Sequence, residues 1–296
     1  SARLMQRVLA DLSAQALGSL PVEIPLLKRF QAVVVEDSST ISLPPVFQEE
    51  WRGCGGGGQD GQGQASMKLF ARWDVLGGRL EGPLVRQGRL SDKYSPFDLE
   101  RLPTGALYLA DLGFYSAGRL VKIKGRKRGK SQRYFVSRSM PRTHLLSRHG
   151  QRIHLLEIGP KLPGQRLQRI VVLGSEGLVV RLVMERVPEA VANARRRRIR
   201  EAAADHGREA EAETLALADW TILLTNAPST LLSIEELLVL TRLRWQIEWL
   251  FKRWKEHGWI DEWRSLKPWR ILTEISAKLA AMVIQHWLIT AGTWHD

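Results

Sequence analysis

The chain has 296 residues, and its 44 Lys and Arg residues against 31 Asp and Glu residues give a formal net charge of +13. A composition of 44% hydrophobic and 25% charged residues is that of a globular protein, which excludes wholesale disorder and a collagen-like structure. The single cysteine, Cys54, excludes an intramolecular disulfide and a cysteine-cluster zinc site. No apolar run approaches the ~18–20 residues of a membrane span. We therefore expect a reducing compartment and a polyanionic partner.

The first elements along the chain are a helix, a strand and a flexible loop. Apolar residues at helical spacing predict a helix over residues 4–20. The β-branched run 31–37 predicts a buried strand that ends in the carboxylate of Asp37, followed by a turn over 38–45. The glycine-rich segment 53–63 predicts a solvated loop, because it lacks the Gly-Lys-Ser/Thr ending of a phosphate-binding loop.

The middle of the chain predicts more strands and a basic stretch. Residues 67–75 and 79–86 form the two arms of a predicted hairpin. Residues 105–111 predict a second buried strand, which ends in the carboxylate of Asp111. The stretch 119–154 contains 12 Lys and Arg residues and no Asp or Glu, so it is a candidate path for DNA.

The last elements before the C-terminal region alternate between strands and helices. Predicted strands cover 153–158, 168–173, 178–185 and 220–225, and predicted helices cover 190–216 and 268–288. Ser233 and Glu236 have capping-box spacing, which predicts the start of a long helix that continues to about Lys255.

This helix from Ser233 carries a polar stripe. At 100° per residue, four polar side chains fall within about 60° of one another, namely Thr241, Arg244, Glu248 and Lys255. The apolar residues of the helix lie beside this stripe and not opposite it, so we expect Glu248 at the edge of the core. The alternative is a solvated face on which Arg244 and Glu248 form an i,i+4 ion pair.

Two carboxylates at strand ends and a third on a later helix suit a two-metal site. Hard Mg²⁺ or Mn²⁺ ions prefer oxygen ligands, and two such ions ~3.5–4 Å apart support phosphoryl transfer. The pattern alone leaves the choice of ligands open, because other acids compete with this trio. They are Asp74, Asp92, Asp98, Glu157 and Asp219.

Three motifs in the expected order resemble those of the DDE transposases of the insertion-sequence-four group. The segment from Thr241 to Lys255 resembles the Tyr-x2-Arg-x3-Glu-x6-Lys signature, with Thr241 in place of the tyrosine. The segment around Asp37 resembles the first-aspartate motif, and the segment around Asp111 resembles the second, Asp-x-Gly-Phe/Tyr. Residues 269–288 are similar to the C-terminal helix of the family.

The resemblance implies an α/β fold with an RNase H-like core, a mixed sheet flanked by helices, which a β-rich insertion interrupts. We expect an N-terminal helical remnant over 1–29 and the two parts of the core over 30–140 and 228–296. The insertion, with its basic helix, is expected over 141–227. Relatives carry an N-terminal DNA-recognition domain, so we expect that this domain is truncated or that a partner supplies end recognition.

The resemblance also implies roles for individual residues. Asp37, Asp111 and Glu248 take the roles of catalytic metal ligands for two Mg²⁺ or Mn²⁺ ions. The DNA contacts that the resemblance implies are Thr241, Arg244, Lys255 and Trp220. Further candidate DNA contacts are Lys252 and, from the basic stretch, Lys124, Arg126 and Lys127. Trp220 stands where hairpin-forming members stack a tryptophan on a flipped base; the alternative is a tryptophan buried in the core of the insertion.

The function implied is strand cleavage and strand transfer at the ends of an insertion sequence. The partners are double-stranded DNA, as terminal inverted repeats and as target, and a second copy of the chain in a homodimer. We expect a cytoplasmic protein that acts at the prokaryotic nucleoid, without a membrane. The alternatives are a non-catalytic DNA-binding relic of a transposase and another RNase H-like nuclease.

Overall fold

The computed structural model describes residues 2–14, 24–54, 65–125, 132–174, 176–205 and 207–292. Most of the predicted glycine-rich loop lies outside these residues, as do Arg126 and Lys127. The chain divides into two compact units, one formed by Ser1–Phe114 with Leu238–Asp296 and the other by Tyr115–Leu237. The inner segment therefore starts earlier and ends later than the predicted insertion over 141–227.

Helices and strands are numbered along the chain. The strands are β1 Val33–Leu43, β2 Ala65–Asp74, β3 Leu80–Gln87, β4 Leu107–Ala110, β5 Tyr134–Arg138, β6 Leu145–Leu146, β7 Arg166–Leu173, β8 Leu178–Arg186 and β9 Trp220–Thr225. The helices are α1 Ala2–Ala14, α2 Ala117–Lys124, α3 Leu155–Ile158, α4 Glu189–Ala204, α5 Ala212–Leu217, α6 Ile234–Leu243, α7 Trp245–Glu256 and α8 Pro268–Gly292. The protein is thus of the predicted mixed α/β class. Among the described helices, none combines the length and the apolarity needed to cross a bilayer.

The first unit contains a mixed four-stranded sheet in the order β3-β2-β1-β4. Strands β1 and β4 are parallel, whereas β1 pairs with β2, and β2 with β3, in antiparallel fashion. The predicted hairpin of β2 and β3 is therefore confirmed. Helix α7 packs against β1 and β2, while α1 packs against α8 and β3. Helices therefore flank this sheet.

Strand β1 is longer than the sequence predicts. Val33 and Val35 are fully buried, as expected for the β-branched start of the strand. The predicted turn over 38–45 is wrong, because β1 continues to Leu43 and pairs with β2 over that length. Ile41 and Leu43 are buried while Thr40 and Ser42 are exposed, which is the alternation of a strand with one covered face.

The second unit contains an antiparallel sheet in the order β5-β9-β8-β7-β6. Two predictions here are wrong. Residues 153–158 contain the one-turn helix α3 instead of a strand. The prediction failed because an apolar run this short fits the helical period of 3.6 residues as well as the strand period of 2. The predicted helix 190–216 is two helices, and Gly207 between them has a φ of 62°, a left-handed conformation typical of the end of a helix.

The predicted capping box is confirmed. The backbone N–H of Ser233 donates to Glu236 Oε2 at 2.9 Å, and the N–H of Glu236 donates to Ser233 Oγ at 3.2 Å. The single helix predicted to follow it is wrong, since α6 ends at Leu243 and α7 begins at Trp245. Arg244 joins them with helical angles, φ −54° and ψ −31°, as the N-cap of α7.

Candidate active site

The first predicted aspartate, Asp37, lies on β1 in a partly buried position. Its Oδ1 accepts a hydrogen bond from the N–H of Ser38 at 2.8 Å. Burial raises the pKa of Asp37 from its ordinary 3.8 to about 7. The bond from Ser38 and the charge of Arg244 lower this pKa, while Glu248 and Asp111 raise it further. Asp37 therefore lies within electrostatic reach of the other two predicted ligands.

The second aspartate, Asp111, comes directly after the last residue of β4. Strands β1 and β4 run parallel, and Glu36 on β1 is opposite Ala110 on β4. Asp37 and Asp111 each follow these paired residues, so the two aspartates stand at neighbouring positions on adjacent strands. The predicted strand-end position is right for Asp111 but wrong for Asp37, because β1 continues past Asp37 to Leu43.

Arg244 links the second aspartate to the glutamate. Its Nη1 donates to Glu248 Oε1, and its Nε lies 3.7 Å from Asp111 Oδ1. The side chain of Arg244 is 15% exposed, whereas those of Asp111 and Glu248 are 39% and 37% exposed. The i,i+4 ion pair of Arg244 and Glu248 is present. Asp111 also contacts Arg244, so this pair is not isolated on a solvated face of the helix.

Glu248 lies at the edge of the core, as the helical pattern predicts. Its neighbours Ile247 and Phe251 on α7 are 0% and 4% exposed. Trp245 and Trp249 on the same helix are more than half exposed, a feature that the sequence analysis missed. At 100° per residue the polar stripe lies between these two tryptophans and the apolar residues of the helix. Their exposure could therefore have been predicted from their helical angles.

The other predicted DNA contacts of the first unit lie on α6 and α7. Lys255 Nζ donates to the carbonyl oxygen of Thr40 on β1 at 3.1 Å. Lys252 Nζ lies 3.6 Å from Glu256 Oε1 and 4.9 Å from the centre of the Trp249 ring. Thr241 is on α6, where its hydroxyl donates to the carbonyl oxygen of Leu238 at 2.8 Å.

Of the DNA contacts predicted in the second unit, Lys124 and Trp220 are described. Lys124 is the last residue of α2 and is partly exposed. Trp220 is 8% exposed, its Nε1 donates to the carbonyl oxygen of Pro160 at 3.0 Å, and the guanidinium of Arg186 lies 5.2 Å from the ring centre. This placement fits the buried tryptophan that the sequence left as the alternative, and the ring offers no free face for a base.

Four of the five competing acids already have hydrogen-bond or ion-pair partners in the structure. Asp74 accepts backbone N–H groups, and burial raises its pKa. Asp98 caps a short 3₁₀ turn, and Asp219 pairs with two arginines. Asp92 accepts bonds from the side chains of Ser38 and Lys68. Glu157 is an exposed residue of α3 in the second unit.

Comparison with known proteins decides the family. The family model described as the transposase DDE domain matches residues 28–284. The chain belongs to the DDE transposases. The match covers Asp37, Asp111 and the helix with Glu248, in agreement with the resemblance found from the motifs.

Curated relatives of this DDE transposase are named as transposases for insertion sequence elements. It is 26% identical over 279 residues to the transposase for insertion sequence element IS231F of Bacillus thuringiensis subsp. israelensis, which covers 88% of this chain and 57% of the relative. It is 22% identical over 294 residues to the transposase for IS1151 of Clostridium perfringens, with coverages of 90% and 59%. The chain thus spans somewhat more than half the length of these relatives.

The donor set of the transposase suits a hard divalent cation in its chemistry. Three carboxylates, on β1, directly after β4 and on α7, lie within electrostatic reach of one another, and oxygen is the donor that Mg²⁺ and Mn²⁺ prefer. Within the described ranges, however, no group of three or more Asp, Glu, His or Cys side chains has a metal-holding arrangement. Arg244 instead provides positive charge between Asp111 and Glu248.

Proposed function

We propose that this DDE transposase cleaves and transfers DNA strands at the ends of an insertion sequence by metal-dependent phosphoryl transfer. The observation that carries the proposal is the position of Arg244, which contacts both Asp111 and Glu248 while its charge acts on Asp37. Three carboxylates from two strands and one helix thereby belong to one electrostatic cluster. The relatives' role in insertion sequences supports the choice of substrate.

The proposed metal ligands are Asp37, Asp111 and Glu248. Two Mg²⁺ or Mn²⁺ ions, when bound, would stabilise the charge that develops on the attacking and leaving oxygens of an in-line displacement. The protein's own part is to hold three anionic side chains together at a partly buried site. Burial is the main cause of the high pKa of Asp37, and the charges of Glu248 and Asp111 raise it further.

Basic side chains, together with Thr241, are the proposed DNA contacts. Arg244 and Lys255 would bind phosphates of the transposon end, with Lys252 and Thr241 as further contacts from the same helical segment. Lys124, Arg126 and Lys127 are proposed as additional phosphate contacts. We further propose that the first unit is the RNase H-like core, that the second is the β-rich insertion, and that two copies act together on DNA at the nucleoid. Trp220 is left out because its ring is buried.

Nicking of a labelled transposon end tests this function. The substrate is a duplex with the inverted repeat that flanks the coding sequence, and the control is a scrambled duplex of the same length. We expect nicks at the end of the repeat that require Mn²⁺. A relic of a transposase would bind the repeat without nicking it, and an unrelated nuclease would cut both duplexes alike.

Substitution of Arg244 or Lys255 by alanine is expected to weaken binding to the end by about 1–3 kcal/mol each, because each removes a charge-assisted contact to a phosphate. Titration of the labelled repeat with each variant measures this effect. Arg253→Ala is the matched control, since Arg253 is exposed on the same helix at about 140° from Glu248. Equal affinities for all three variants and the wild type would contradict the assignment.

Binding should also weaken steeply with salt. If six to ten Lys and Arg side chains contact phosphates, the affinity falls by roughly 10³–10⁵ between 50 and 200 mM salt. Replacing Lys124, Arg126 and Lys127 together by glutamine should lower the affinity for repeat and scrambled duplexes about equally, because phosphate contacts carry little sequence information. An unchanged salt dependence in this triple variant would remove the 119–152 stretch from the DNA path.

A further inference from the structure

Asp92 contacts β1 directly beside the first aspartate. It begins a short 3₁₀ turn, Asp92–Tyr94, in the segment between β3 and β4. Its Oδ1 accepts a hydrogen bond from the hydroxyl of Ser38 at 2.7 Å. Ser38 is the residue that follows Asp37, and its backbone N–H also holds the Asp37 carboxylate. Asp92 therefore fixes the part of β1 that positions Asp37.

The same carboxylate lies against the turn that follows the second aspartate. A Cβ atom on Gly113 would lie 2.7 Å from Asp92 Oδ2, closer than carbon and oxygen approach in proteins. Gly113 is two residues after Asp111, in the 3₁₀ turn Leu112–Phe114. A side chain at position 113 would therefore displace the Asp92 carboxylate from its place.

Lys68 neutralises Asp92 and holds it in place. Lys68 Nζ donates to Asp92 Oδ1 at 3.0 Å and to the carbonyl oxygen of Leu90 at 2.7 Å. The side chains of Lys68 and Asp92 are 12% and 27% exposed. With two donors on one oxygen and a glycine against the other, the carboxylate is fixed between the segments that carry Asp37 and Asp111.

We propose that Asp92 is a positioning residue that holds Asp37 and Asp111 in register for metal binding. The proposal rests on the function proposed above, because it acts through the metal ligands of that site. Residues that hold metal ligands in the right orientation contribute strongly to metal binding, and their loss typically lowers metal affinity by about 10–100-fold. In this role Asp92 acts through Ser38 and Gly113 and does not itself bind the metal or the DNA.

Mn²⁺ binding, measured by titration calorimetry on the whole chain without DNA, tests the proposal. Asp92→Ala and Ser38→Ala should each weaken Mn²⁺ binding by about 10–100-fold, and Asp92→Asn, which keeps an acceptor for Ser38, should fall between them and the wild type. Asp98→Ala is the matched control, because Asp98 is likewise an aspartate of the segment between β3 and β4 and accepts a hydrogen bond there, from the N–H of Glu100 at 2.9 Å. Its Mn²⁺ affinity should equal that of the wild type.

Substitution of Gly113 provides a second test of the position of Asp92. Gly113→Ala should weaken Mn²⁺ binding by displacing Asp92, and the same change should have a smaller effect in the Asp92→Ala background, where the space is free. Such non-additivity separates positioning from a general loss of stability, which heat denaturation of each variant measures independently. Nicking by Asp92→Ala should recover at high Mn²⁺, whereas Glu248→Gln should not recover.

Mn²⁺ affinity within about twofold of the wild type in folded Asp92→Ala would overturn the proposal, since the loss expected is at least tenfold. Should that variant fail to fold, an unchanged affinity in Ser38→Ala and Asp92→Asn would overturn it equally. Failure of the proposed function has a different signature. In that case the wild type binds Mn²⁺, and loses affinity with Asp92→Ala, but never nicks the transposon end.

Discussion

Glu248→Gln is expected to lower Mn²⁺-dependent nicking of the transposon end by at least about 10³-fold, because loss of one metal ligand removes several kcal/mol of transition-state stabilisation. The amide keeps the shape of the side chain and can still accept a bond from Arg244, so binding to the end should remain near that of the wild type. Single-turnover nicking, with binding measured in Ca²⁺ on the same duplex, separates the two effects.

Glu256→Gln is the matched control for this substitution. Glu256 lies on α7 like Glu248, and its carboxylate is exposed beside Lys252. Its loss should leave the nicking rate unchanged. If instead Arg244 and Glu248 serve only as a surface pair, Glu248→Gln costs about 0.3–0.5 kcal/mol of stability and leaves cleavage untouched. Wild-type nicking by purified Glu248→Gln would decide for that reading.

The metal-free protein should lose stability as the pH rises from about 4 to 7. Asp37 has a pKa of about 7 in the folded protein and 3.8 as its ordinary value. Between these values the folded state holds a proton that the unfolded state has released, so the free energy of unfolding falls with rising pH. The difference between the two pKa values corresponds to a loss on the order of 4 kcal/mol, complete above pH 7.

Asp37→Asn should remove this part of the pH dependence, because the amide carries no charge at any pH. Urea denaturation of both proteins at pH 5 and pH 8, with EDTA present, measures the difference. We expect Asp37→Asn to be the more stable protein at pH 8 and the two to be closer at pH 5. The same slope with pH in both proteins would show that Asp37 does not titrate abnormally.

The elements that carry the candidate site could be predicted from local sequence patterns. The β-branched run before Asp37 and the apolar run before Asp111 indicate strands, and the structure makes them parallel neighbours. The capping box at Ser233 marks the start of the helical segment that leads to Glu248. Each of these signals depends on residues within a few positions of one another.

Features that depend on contacts distant in sequence could not be predicted. The sequence does not show that the helical segment divides at Arg244. Nor does it show that Arg244 Nε lies 3.7 Å from Asp111 Oδ1. The role of Asp92 depends on Ser38 and Gly113, on either side of it in the chain. Trp220 looks the same in sequence whether its ring stacks on a base or lies buried under Arg186.

A crystal structure of the protein with Mn²⁺ is the most direct test of the central claim that three carboxylates form one metal site. Anomalous scattering locates the ions without any assumption about their ligands. We expect Mn²⁺ within about 2.0–2.3 Å of carboxylate oxygens of Asp37, Asp111 and Glu248. Mn²⁺ bound elsewhere, or any one of these carboxyl groups more than about 10 Å from the other two, would contradict it, since a two-metal site spans only ~4 Å.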